Sequence, residues 1–142
     1  MRFWDSSAVV PLVVEETTSK ACRQLLRSDK GQLVWCLTRA EIVSALWRRR
    51  REGVLTDAEV QKAERRLDLL SDRWTEVDAM VVVREAAERL LRIHPLRAAD
   101  ALQLGAALVA LGPRTRGRLF VALDDTLLRA AEREGFTSIR PA

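Results

Sequence analysis

One histidine and two cysteines in 142 residues leave few routes to nucleophilic catalysis open in this chain. His94 precedes a proline in a loop, and no serine or cysteine has a histidine and an acid arranged about it as a triad requires. It reads as a structural or exposed histidine. Cys22 and Cys36 lack the short spacing of a thiolate metal pair, which excludes a sulfur-ligated zinc centre, and two isolated cysteines make a poor disulfide framework. Both read as small core residues in a reducing compartment. Walker A and dinucleotide-binding glycine patterns are missing. So is any long uncharged run. With an acid already at position 5, the chain offers no signal peptide and no membrane span, and a soluble, cytoplasmic protein is the expectation.

What is present is an apolar content of 48%, ordinary for a globular protein, in a length that suits one domain spanning residues 1–142. The formal charge of +4 is a modest pull toward a polyanionic partner. Its distribution says more, because Arg48, Arg49, Arg50 and Arg51 form one block and Arg114, Arg116 and Arg118 another. Either block can meet phosphate or an acidic partner protein, and either can equally be solvated surface. The first also suits the C-terminal end of a helix dipole.

Short apolar runs alternate with amphipathic ones. Residues 2–5 read as a strand that delivers Asp5 at its end, and residues 33–36 as a second. Thr38 with Glu41 has the form of a capping box, with Leu37 and Ile42 as its staple, opening a helix that runs to about Arg51 and stops at Gly53. Thr56 with Glu59 repeats the pattern and opens a helix ending near Arg73, with Ala63, Leu67 and Leu70 as its stripe. A partly β-like WTEVDA segment precedes a helix over about 80–92, and Pro95 interrupts before another at 97–111, closed by Gly112 and Pro113. LFVAL, DTLLRAAERE and FTSIR read as strand, helix and strand. The pattern is an α/β sandwich around a parallel sheet.

Acids recur at the functional end of that architecture. Asp5 and Asp124 fall at strand ends, where open parallel sheets build their sites, while Glu41 and Asp100 fall in the first turns of helices. Each has an ordinary alternative: Asp5 as a helix cap, Glu41 as the capping-box acid, Asp100 as a first-turn acid paired with Arg97, and Asp124 or Asp125 as the next cap. Asp124 ends LFVAL directly and is the favoured ligand, which leaves Asp125 as cap or outer contact. Four carboxylates brought together raise one another's pKa unless cations neutralise them. Mg2+ or Mn2+ suits such hard oxygen donors and can both generate hydroxide from water and stabilise charge on a phosphate. Ser6 is expected at the edge of the cluster, with Arg97 offsetting charge nearby.

At these residues the chain resembles the PIN-domain ribonucleases, and among them the VapC-like toxins of type II toxin–antitoxin systems. The resemblance spans nearly the full length. The opening hydrophobic-Asp-Ser-Ser-Ala looks like the family's first motif, TRAEIVSAL carries Glu41, RAADALQLGAAL carries Asp100, and FVALDDTLLRAAEREGF carries Asp124. The chain departs at Ala122, where the family often has a threonine or serine two residues before the final acid; Ser6 remains as a hydroxyl near Asp5. The resemblance implies a PIN-like three-layer α/β sandwich with a central parallel sheet flanked by helices, a homodimer, and Mg2+- or Mn2+-dependent endonucleolytic cleavage of RNA. It also implies a cognate VapB-like antitoxin, for which the helices bearing Trp47 and Leu67 are candidate contacts or else ordinary packing. Acids alone do not distinguish this from a DNA flap or structure-specific nuclease. The arginine blocks and Ala122 leave room for a nonenzymatic nucleic-acid-binding regulator.

Overall fold

Strands in this protein are three or four residues long, and the three central ones are buried from both sides, so each presents its side chains alternately to two different helical layers. A computed structural model describes residues 1–112 and 117–142. In chain order the elements are β1 (Arg2–Trp4), α1 (Ser6–Val13), α2 (Ser19–Ser28), β2 (Gln32–Trp35), α3 (Thr38–Arg51), α4 (Asp57–Ser71), β3 (Thr75–Val77), α5 (Met80–Ile93), α6 (Ala98–Leu111), β4 (Leu119–Val121), α7 (Asp125–Arg133) and β5 (Thr137–Ile139). The strands form one parallel sheet in the order β3-β2-β1-β4-β5.

Alternation along the strands explains the layers. Phe3, Leu33, Trp35 and Phe120 join a core with Val83, Leu90 and Leu104 of α5 and α6, and with Leu127 of α7. Trp4, Val34 and Val121, one residue out of phase, join the opposite core with Val9, Ile42, Leu46 and Leu67 of α1, α3 and α4. A strand in the centre of such a sandwich has no polar face, which is why these runs read as continuously apolar. Phe3 and Phe120 stack across the β1–β4 pair with ring centroids 5.4 Å apart. Burying each large side chain of this kind contributes about 1.5–3 kcal/mol. The three-layer α/β sandwich expected from the sequence is the observed fold.

The strand order contains one reversal. From β1 the chain steps outward to β2 and β3, then returns to the other side of β1 for β4 and continues to β5. The loops after β1 and β4 therefore diverge to opposite faces, and the crevice between them is where ligands bind in open parallel sheets. Asp5 follows β1 and Asp124 follows β4.

Several local expectations need correction. The second box forms as read: Thr56 N donates to Glu59 Oε1 at 3.0 Å and Glu59 N to Thr56 Oγ1 at 3.2 Å. The first does not, because α3 starts at Thr38 itself, and Leu37 at its cap has no capping side chain and stays 39% exposed. Both polar groups of that box have longer-range partners, described below. Helix α2 stands where the sequence pattern assigns no element, its stripe reduced to Cys22 with Leu25 and Leu26 half-buried. Gly53 and Gly112 end their helices at φ 77° and 65°, the left-handed region glycine adopts without strain. Among the described residues no helix is long and apolar enough to cross a membrane.

Candidate active site

Asp5 is held by the loop it opens. It is the N-cap of α1, its Oδ2 accepting from Ser7 N at 3.1 Å and from Ser7 Oγ at 2.5 Å. Ser7 Oγ in turn accepts from Leu123 N at 2.9 Å, and Asp5 N donates to Val121 O at 2.9 Å. The loops after β1 and β4 are thus stitched together across the strand-order reversal. In the sequence Ser6 and Ser7 are equivalent as alternative caps of this helix, and only the fold shows which of them bridges the loops.

Capping spends one oxygen of Asp5 and leaves the other. Oδ1 is buried with no hydrogen-bond partner among the described residues, in a side chain only 3% exposed. Burial, with added push from the charges of Glu41 and Asp100, raises the carboxyl from 3.8 to about 7 even though the two Ser7 bonds pull the other way. A buried, half-satisfied carboxylate is costly to keep for folding alone.

Glu41 and Asp100 complete the pattern. Glu41 Oε2 accepts from Ser6 Oγ at 3.0 Å and Oε1 from Gln103 Nε2 at 2.9 Å, and the same Gln103 nitrogen lies 3.0 Å from Thr38 Oγ1. These bonds replace the capping box. Burial raises Glu41 above the ordinary glutamate value, with Asp100 adding to it and the Gln103 and Ser6 bonds opposing. Burial also raises Asp100, helped by the charge of Asp124 and opposed by Arg97 and its backbone N–H. Gln103, one turn beyond Asp100 on the same helix face, was legible only as its neighbour.

Asp124 takes the capping role that the sequence reading gave to Asp125: its Oδ1 accepts from Leu127 N at 2.9 Å. Asp125 points away, 64% exposed and 3.3 Å from Arg140. The cap falls to Asp124 because α7 begins one residue after it. Asp5, Glu41, Asp100 and Asp124 therefore share one electrostatic neighbourhood. Among the described residues, no three acid, histidine or cysteine side chains are drawn close enough together to enclose an ion. The donor chemistry fits a hard divalent cation all the same, since the oxygens are carboxylate and amide, one buried carboxylate oxygen is unpaired, and Arg97 opposes the rise at Asp100 without cancelling it.

The remaining candidates behave otherwise. Arg118 is buried, donating to Gly112 O and, at 3.3 Å, to Glu134 O, with its guanidinium 4.4 Å from the Phe136 ring centroid, so it is not free for phosphate. Arg114 and Arg116, and Pro113 beyond α6, lie outside the described residues. Of the two residues that mark the candidate contact helices, Leu67 is fully buried in the core, whereas Trp47 is 38% exposed and donates to Glu64 Oε1 at 2.9 Å. His94 is buried and its Nε2 lies 2.7 Å from Glu134 Oε2, a structural histidine remote from the acids in its contacts.

A parallel α/β sheet with candidate acids beside its reversal of strand order defines the class of protein: a fold that binds ligands outside the carboxyl ends of its strands. Within that class the chain belongs to the PIN domain family, whose model matches residues 2–133. Ribonuclease VapC45 of Mycobacterium tuberculosis strain CDC 1551 / Oshkosh and Ribonuclease VapC49 of strain ATCC 25618 / H37Rv are each 31% identical to it over 140 residues, covering 99% of this chain and 94% of theirs. The solved structure of FitAB bound to an IR36 DNA fragment shares the fold, with a TM-score of 0.62 at 16% identity over 99% of this chain and 95% of that one. This is a PIN-domain protein related to the VapC-like toxins of type II toxin–antitoxin systems.

Proposed function

We propose that this chain is a divalent-metal-dependent endoribonuclease that acts as a toxin and is restrained by a cognate VapB-like antitoxin. The observation that carries the proposal is the buried Asp5 carboxylate, unpaired at Oδ1 and raised to about 7 among Glu41 and Asp100. Relatives at 31% identity carry the name ribonuclease, which supports RNA as the substrate. Asp5, Glu41, Asp100 and Asp124 would hold Mg2+ or Mn2+. When bound, such an ion activates water and stabilises charge on a phosphate. The protein's own part is to hold Asp5 through Ser7, to fix both oxygens of Glu41 through Ser6 and Gln103, and to moderate the charge at Asp100 through Arg97. Ala122 brings no hydroxyl to the rim; Ser6 and Ser7 supply the hydroxyls found there. Two copies are expected to associate while leaving each rim open.

The test is cleavage of matched single-stranded and structured RNA and DNA with Mg2+ and with Mn2+. Metal-dependent RNA cleavage is expected, lost by more than about a hundredfold in Asp5→Asn, because even the outer partners of a metal site are worth 10–100-fold. Undiminished cleavage by that folded variant rejects the site, and exclusive DNA cleavage rejects the substrate.

A further inference from the structure

Beside Glu41 the acid rim opens into a groove of about 470 Å³ between α3 and the start of α6. Its apolar wall is Leu37, Ala99 and Leu102, and its α3 side presents Glu41, Ser44 and Arg48. These three follow one another at helical spacing, so they form a row along one face of α3 leading away from the acids. Seven residues separate Glu41 from Arg48, about 10 Å along the helix axis. The neighbouring arginines are engaged, Arg49 with Glu16 and Arg50 with Asp57, both at 2.5 Å. Arg48 is exposed and, among the described residues, its side chain makes no ion pair or hydrogen bond.

We propose that this groove seats the nucleotide of a single-stranded RNA next to the scissile phosphate, with Arg48 binding that nucleotide's phosphate and the Leu37–Leu102 wall receiving its base. The assignment rests on the ribonuclease reading of the acid rim and deepens it. Charge decides the occupant. A polyanionic strand that places one phosphate among the carboxylates, where metal offsets the repulsion, has its next phosphates within reach of a free guanidinium two helical turns away. A guanidinium binds phosphate through a planar fork of donors, and an apolar wall accepts the face of a base without demanding its sequence. The volume lies within the roughly 300–1,000 Å³ of small-ligand sites. An acidic protein segment is a poorer fit, because it would set its carboxylates beside Glu41 with no metal to separate them.

Steady-state RNA cleavage and salt-dependent RNA binding test this on the full chain, with binding measured in an Asp100→Asn background to prevent turnover. Arg48→Gln is expected to raise KM about tenfold, as loss of one charge-assisted contact would, with kcat held within about twofold. Its log–log salt slope for binding should fall by about 0.7, the share of one single-strand phosphate. Ala40→Phe, at an exposed position lining the groove, should raise KM in the same way by filling it. Arg51→Gln, which removes the same charge from an exposed position outside the groove, should leave KM unchanged. If the wild type cleaves RNA but Arg48→Gln matches it in KM and salt slope, the groove assignment is wrong and the ribonuclease reading stands. Weakened self-association of Arg48→Gln with unchanged RNA kinetics overturns the assignment in favour of a second copy of the chain. A wild type that neither binds nor cleaves RNA overturns both readings.

Discussion

A buried carboxyl group and a half-buried one in this protein have opposite surroundings. Glu134, at the end of α7, accepts from Arg89 at 2.7 Å and meets His94 at 2.7 Å. Burial pushes it up, but hydrogen bonds from those two partners, with the charge of Arg89, outweigh burial and hold it below the ordinary glutamate value. Asp5, at the end of β1, has hydroxyl and amide partners on one oxygen, nothing on the other, and further carboxylates as its nearest charges, so burial carries it up to about 7. A carboxylate that serves the fold comes with its own cations. One that lacks them is suited to a cation from outside, and this contrast, more than the number of acids, supports the proposal that the rim is the functional end.

The sharpest way to test that contrast is stability against pH without metal. For Asp5 the folded pKa lies above the unfolded one, so its contribution is fully present below about pH 4 and is lost as pH rises through about 7. The shift is on the order of 4 kcal/mol, with Glu41 and Asp100 adding in the same direction. Asp5→Asn should therefore stabilise the metal-free protein at pH 8 and flatten the decline between pH 4 and 7 in chemical denaturation. Glu134→Gln should do the reverse. A lowered folded pKa makes its contribution present above the ordinary glutamate pKa and lost on acidification, and its removal should cost roughly 1–2 kcal/mol at pH 7, discounted for the exposure of Arg89. Destabilisation by both variants at pH 8 would erase the distinction.

Gln103 gives a smaller effect. Gln103→Leu frees one oxygen of Glu41 and leaves the buried Thr38 hydroxyl without its partner, at a cost of about 1–3 kcal/mol in unfolding free energy. It should also weaken Mn2+ binding about tenfold in a fluorescence or paramagnetic titration, and Gln103→Asn should not restore either value if the reach of the longer amide matters. Asp125→Ala stands at the bottom of the scale. Its contact with Arg140 is exposed, so unfolding free energy should change by less than about 0.5 kcal/mol and cleavage should not change.

Much of this was legible along the chain, because the rules that place strands and helices are local. Apolar runs ended by acids mark β1 and β4, and Thr56 with Glu59 opens α4 by contacts three residues apart. The misreadings share one cause. Thr38 and Glu41 form as good a box on paper as Thr56 and Glu59, yet Gln103, 62 positions away from Glu41, and Ser6, 35 away, hold the glutamate instead. Arg118 reads as part of a basic loop until Phe136 and the end of α7 cover it. Asp124 and Asp125 differ only in which one meets the first turn of α7. Helix α2 carries so narrow an apolar stripe that its pattern blends into the polar residues around it. At the candidate site the identity of the acids was readable, while their burial and supporting bonds were properties of the fold.

Metal titration by calorimetry, run in parallel on the wild type, Asp5→Asn and Glu134→Gln at pH 7.5, tests the central claim most directly. The wild type and Glu134→Gln should each bind Mn2+ with release of protons from the raised carboxyls, and the metal should raise their unfolding temperatures, whereas Asp5→Asn should show neither heat nor stabilisation. Equal Mn2+ binding by Asp5→Asn and the wild type would contradict the account.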